Sequence, residues 1–147
     1  MPALPPPRFA WRAVLIGWLL ATVFSGAPST AWALATGGDP WEATRAAGRM
    51  LLPQAQALPV LFAAAAVVHG TLSTFWALVC AYTLPRHHTG RWALALLTAV
   101  GLCHLLVVAP RAFPDVAALA FWPQMADHWA WGALMALGLR RGAQRAR

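Results

Sequence analysis

The 147-residue chain contains no lysine, only four acidic residues and only two cysteines. Charged residues make up 10% of it, against about 25% in ordinary soluble domains, so the polar shell of a water-soluble fold is missing. No CxxC pair occurs, which argues against a quinone-linked disulfide enzyme. The motifs GxSxG, HExxH and CxxCH are also absent, as are paired outer carboxylates, so hydrolase, zinc-protease and c-type haem readings have no support. No internal repeat or heptad pattern appears.

What the chain does contain is apolar. Hydrophobic residues account for 60%, gathered in four blocks, which marks an integral membrane protein. Arginine supplies all the positive charge behind the net +7. Such a balance can signal nucleic acid, but its placement points elsewhere. Arg8 and Arg12 precede the first block, Arg86 and Arg91 flank the turn "LPRHHTGRW", and Arg140, Arg141, Arg145 and Arg147 end the chain. Arg45, Arg49 and Arg111 fall on the other side together with Asp39, Glu42 and Asp115. The positive-inside rule then puts both termini in the cytoplasm, with the lipid bilayer and no nucleic acid as partner.

The expected fold is all-α: one polytopic membrane domain over residues 1–147, with four spans near 10–35, 57–84, 91–109 and 123–140. A short outer helix is expected at about 40–49, and an interfacial segment before span four. "PALPPP" at residues 2–7 reads as a disordered lead. In span one, Gly17, Ala21 and Ser25 form a small-residue stripe that lets helices approach closely, and Pro28 kinks or ends the helix. A rival reading makes this block a secretory signal cleaved after Ala31-Trp32-Ala33. In the outer helix Asp39 caps, Pro40 suits the first turn, and Glu42 completes a capping box and can pair with Arg45.

Span two offers Ala66, Gly70 and Thr74 as a packing face, with His69, Ser73, Trp76 and Cys80 on an adjoining stripe that should face protein. Span three is expected to stop at Pro110. Pro114 and Pro123 bracket the interfacial segment. Span four packs through Gly132 and Ala136 and stops at Arg140 and Arg141. In this topology Cys80 and Cys103 fall near opposite faces, too far apart for a disulfide.

Within the membrane, the residues that could carry chemistry are Asp127, His128, His104, His69 and Ser73. By helical rise, His104, His128 and Asp127 lie ~7 Å below the outer surface and His69 ~16 Å below it. Ionisable groups at depth normally face the bundle interior and find partners, and they mark transport paths by default. An Asp127-centred pocket leading to His69 and Ser73 could therefore move a cation or small solute, while His104 and His128 are the one pair at a height suited to haem or metal. Adjacent helical residues point about 100° apart, so Asp127 and His128 do not readily converge on one ion. The blander account bonds each group to a neighbouring helix. It predicts no catalytic residue, no metal and no cofactor.

The stretches "SGAPSTAWALATGGDPWEATRAAG", "VHGTLSTFWA" and "FPDVAALAFWPQMADHWAWG" resemble a group of small four-span uncharacterised bacterial inner-membrane proteins. Some of that group carry the label sodium:proline symporter. The resemblance covers nearly the whole chain and implies a four-helix fold in a bacterial inner membrane, and through the label, Na⁺-coupled solute uptake. Taken together, the residues lead first to a noncatalytic helix-packing component that associates with itself or a larger membrane partner, and second to a small transporter or transporter subunit.

Overall fold

The computed structural model describes residues 8–144. The Pro-rich lead at 2–7, Arg145 and Arg147 lie outside the described residues. The described residues form helices and connecting turns, with no strand among them.

Helices α1 (Trp11–Phe24) and α2 (Ala27–Ala35) follow one another across a break at Ser25 and Gly26. Pro28, in the first turn of α2, has no N–H to continue the ladder, and it suits the start of a new helix. α3 (Glu42–Arg49) is a short helix. α4 (Leu58–Thr83) is long and unbroken. A tight turn holding His88 in the left-handed region leads to α5 (Thr89–Cys103).

Span three does not stop at Pro110, as the sequence suggests. A π-helical turn over His104–Val108 carries α5 into α6 (Ala109–Ala112), and the Ala109 N–H reaches back five residues to the carbonyl of His104. In a regular helix the Pro110 ring would collide with the carbonyl of residue 106. The wider turn relieves that clash. After α7 (Pro114–Ala117), a single turn, α8 (Phe121–Gln144) completes the bundle, starting two residues before Pro123.

Three helical stretches are long and apolar enough to cross a membrane: Trp11–Ala35, Leu58–Thr83 and Thr89–Ala112. α8 has comparable length, but Gln124, Asp127, His128, Arg140 and Arg141 make it more polar. The order of elements repeats: an interrupted long helix, a short helix and an uninterrupted long helix occur twice, although no sequence repeat announces it.

α8 is the centre of the bundle and packs along α1, α2 and α5. The α1–α8 crossing lies at Gly17 and Gly138. A Cβ on Gly138 would stand 2.2 Å from both the Cα and the N of Gly17, so the backbones are in direct contact. Ala13, Ala21, Ala77, Ala93, Met135 and Leu139 fill the core around this crossing. At the α5–α8 contact Gly132 lies against the Ala93 carbonyl and the Leu97 side chain.

α3, α6 and α7 form a smaller layer. Ala46 of α3, Ala109 of α6 and Val116 of α7 cluster with Met50, Phe113 and Leu119, and Arg49 reaches Asp115 at 3.6 Å. Gly48 fits α3 onto α4: a Cβ there would lie 2.3 Å from the Leu61 carbonyl oxygen. At the opposite end, the chain entering α1 is tied to the end of α4. The Arg8 N–H donates to the Ala81 carbonyl at 2.8 Å, and Arg86 Nε donates to the Arg8 carbonyl at 2.5 Å.

Two expected details are corrected. The capping box does not form, because Glu42 is itself the first residue of α3 and no side chain caps that helix. Arg45 pairs with Asp39, not Glu42. Asp39 also accepts the Trp41 N–H at 2.9 Å, and this bond, then Arg45, holds its carboxyl below the ordinary value of 3.8. The geometry favours Asp39 because its short side chain turns back onto the backbone two residues on. Ala66, Gly70 and Thr74, expected as a packing face of α4, are open. Among the described residues they meet no other helix: Ala66 and Thr74 are exposed, and a Cβ on Gly70 would meet nothing within 4 Å. The small residues of α4 that pack inward are Ala64, Ala65, Ser73, Ala77 and Ala81.

Candidate functional site

The break between α1 and α2 leaves two sets of backbone groups without intrahelical partners, namely carbonyls in the last turn of α1 and N–H groups in the first turn of α2. Gly26, in the capping position of α2, has no side chain to offer. Asp127 of α8 supplies what is missing. Its Oδ1 accepts the Ser29 N–H at 3.0 Å, the bond an Asp at the capping position would itself make to the third helical residue. The partial positive charge at a helix start favours the carboxylate there.

His69 of α4 satisfies the other side of the break. Its Nε2–H donates to the Thr22 carbonyl at 2.9 Å, and the Ser25 hydroxyl lies 3.4 Å from the same nitrogen. Ser29 Oγ and Thr30 Oγ1 both donate to the Gly26 carbonyl at 3.1 Å. Two ionisable residues from two helices thus close one interruption in a third. Outside the break, a shallow cleft of about 80 Å³ is lined by Ser29, Trp32, Thr36, Asp39, Pro123 and Gln124, among others.

His128, next to Asp127 in sequence, points away from it toward α5, as the 100° step between neighbouring helical residues requires. Its Nδ1 donates to the Gln124 carbonyl at 2.8 Å, and its Nε2 lies 3.4 Å from Nδ1 of His104. The rings are 5.4 Å apart, centroid to centroid. His104 sits at the start of the π-helical turn, and its Nε2 is buried without a hydrogen-bond partner among the described residues. Ser73 stands apart from both groups. It is 2% exposed and accepts the indole N–H of Trp131 at 2.9 Å, linking α4 to α8.

The five candidate polar residues therefore divide among three places: Asp127 and His69 at the helix break, His128 with His104 between α5 and α8, and Ser73 under Trp131. Among the described residues, no three His, Cys, Asp or Glu side chains come together in a metal-binding group. Nor do the histidines fit haem, since α5 and α8 are in contact at Gly101 and Gly132 and leave no slot for a porphyrin between the rings. Both cysteines are free thiols, Cys80 buried and Cys103 exposed.

Of the predicted packing residues, Gly17, Ala21, Ser25, Gly132 and Ala136 are buried in helix contacts. Sequence reasoning missed Gly138, Gly48 and Gly101, as well as Ser29, Trp131 and Met125. Only Ser29 carried a usable signal: Gly26 followed by Pro28 marks a helix restart, whose third residue needs an acceptor. In comparisons with known proteins, no family model, curated protein or solved structure matches the chain.

Proposed function

We propose that the chain is a noncatalytic helix-packing component of a bacterial inner membrane, with four spans, both termini cytoplasmic, and association with itself or with a larger membrane partner. One observation carries this reading. Asp127, His69 and Ser73 each hold one helix against another and do not line a common cavity. Depth in the membrane makes such bonds necessary, because an unpartnered polar group there costs several kcal/mol, roughly. α8, at 24 residues, is about 36 Å long by helical rise, and Arg140 and Arg141 suit its cytoplasmic end.

The Ala66, Gly70 and Thr74 face is the one through which the chain would associate. Its test is Gly70→Leu in nanodiscs or vesicles, read by energy transfer between labelled copies. Lower transfer with unchanged helicity is expected; equal transfer removes this face from the reading. Reporter fusions at the C-terminus test orientation, and an extracytoplasmic end contradicts the arginine argument.

A second reading, a small cation or solute transporter of the sodium:proline symporter kind, draws on the helix break itself. Discontinuous helices whose half-helix ends face substrate and coupling ion are how many secondary transporters build their sites, and here the Asp127 carboxylate lies at such a break. Under this reading Asp127→Asn abolishes a sodium- or pH-dependent flux in vesicles while the fold persists. Unchanged flux, or none in the parent protein, leaves the packing reading standing.

A further inference from the structure

We propose that His104 and His128, with the thioether of Met125, form a binding site for a soft monovalent cation, Cu(I) or Ag(I), between α5 and α8. The ring nitrogens already converge. His128 donates Nδ1–H to the Gln124 carbonyl, which leaves Nε2 unprotonated, an acceptor facing Nδ1 of His104. A second ring nitrogen bonded to a backbone carbonyl is the usual support of a metal-ligating histidine, since it fixes tautomer and orientation.

The spacing suits an ion held by more than two ligands. With bonds of about 2.0 Å, nitrogens 3.4 Å apart subtend roughly 115° at an ion between them, close to a trigonal angle. That geometry leaves a third position open. Met125, 2% exposed, stands beside His128: its Sδ and the His128 ring carbon Cγ lie 2.7 and 3.0 Å from the point where a Cβ on Gly101 would sit. Glycine at 101 is what lets sulfur and imidazole share this space. Methionine has three rotatable bonds and can swing its sulfur onto an ion.

The donor set selects the cation class. Two imidazoles and a thioether suit Cu(I), whereas calcium and magnesium need oxygen ligands, and structural zinc takes four ligands. No carboxylate is at hand, because Asp127 is engaged with Ser29. All three ligands are neutral, so a monovalent ion leaves a single buried charge and a divalent ion would leave two, at much greater cost in desolvation.

Binding also balances in protons. In the pair as it stands, His104 Nδ1 carries the hydrogen directed at His128 Nε2. The ion takes its place, and the proton moves to Nε2 of the same ring, the atom that now lacks a partner. No oxidant, reductant or net proton release is required.

The test uses full-length protein in detergent micelles with Cys103→Ser, which removes the exposed thiol. Ag(I), supplied as nitrate in chloride-free buffer, is counted by native mass spectrometry, and imidazole nitrogens are followed by ¹⁵N NMR. The expected result is one retained Ag(I) with both rings shifted. Affinity should fall at least tenfold in His128→Ala and in the milder His104→Gln, and severalfold in Met125→Leu. Retention unchanged in both histidine variants overturns the proposal. So does the absence of retention and of ring shifts in the Cys103→Ser protein, which would make the two rings a hydrogen-bonded pair only. The NMR arm needs no change at the site, so a variant that fails to fold does not block the test.

Discussion

Replacing Gly138 with alanine puts a methyl group where α1 and α8 have no room for one. The new Cβ would lie 2.2 Å from backbone atoms of Gly17, whereas ordinary contact begins at 3.4 Å. Backbone cannot rotate aside as a side chain can, so the helices must separate by about 1 Å along their crossing, a gap large enough to forfeit a quarter to a half of the dispersion energy of the facing atoms. Ala13, Ala21, Met135 and Leu139 line that contact and would all lose packing. Overpacking typically costs about 1–3 kcal/mol, and a backbone obstacle places Gly138→Ala at or above the upper end, about 3 kcal/mol.

Two other glycines calibrate this figure. At Gly17 the added Cβ would meet the Met135 carbonyl oxygen and the flexible Met135 sulfur, each at 2.8 Å, so Gly17→Ala should cost about 1–2 kcal/mol. Gly70→Ala meets nothing and should be neutral, or stabilising by about 0.5–1 kcal/mol through helix propensity. Equilibrium unfolding in mixed micelles, followed by tryptophan fluorescence and helical circular dichroism, measures all three. If Gly138→Ala and Gly70→Ala unfold at the same SDS fraction, the reasoning about this crossing is wrong.

Asp127→Ala strands the Ser29 N–H and should destabilise by about 1–3 kcal/mol, while Asp127→Asn keeps an acceptor oxygen and should recover most of that in the same unfolding assay. Gly48→Ala should lift α3 from α4, and loss of the Trp41–Phe62 ring contact, centroids 5.1 Å apart, should appear as a Trp41 emission shift that is absent in Gly90→Ala, where the added Cβ meets nothing. Asp39 has a folded-state pKa below its ordinary 3.8. Its contribution to the order of α3 is therefore present above that ordinary value and lost as pH falls through the lowered one. Carboxyl ¹³C NMR should place the Asp39 midpoint below 3.8, and an equal or higher midpoint refutes the Trp41 and Arg45 contacts.

The helices were readable because each depends on a local property: a run of apolar residues of spanning length, punctuated by glycine, proline and arginine. Pro28 was correctly read as an interruption. Pro110 was not, because a stop and a passage through a π-helical turn look alike until the neighbouring turn is seen. The packing stripe at Gly17, Ala21 and Ser25 is buried, and the similar pattern at Ala66, Gly70 and Thr74 is open. Four-residue spacing of small side chains shows that a helix can be approached, and says nothing of whether another helix of the same chain does so. Glu42 was read as the partner of Arg45 and Asp39 as a cap, and the turn at Asp39 instead gives Arg45 to Asp39.

By itself the sequence determined that this chain is helical, and where its helices long and apolar enough to cross a membrane lie. Tertiary structure alone decided that Asp127 caps α2, that His69 closes the end of α1, that His128 faces His104 and that Gly138 meets Gly17. The physical reason lies in the helices themselves. A span that is apolar on every side has no amphipathic face to fix its rotation about its own axis, so which residues look inward is settled only when the helices pack.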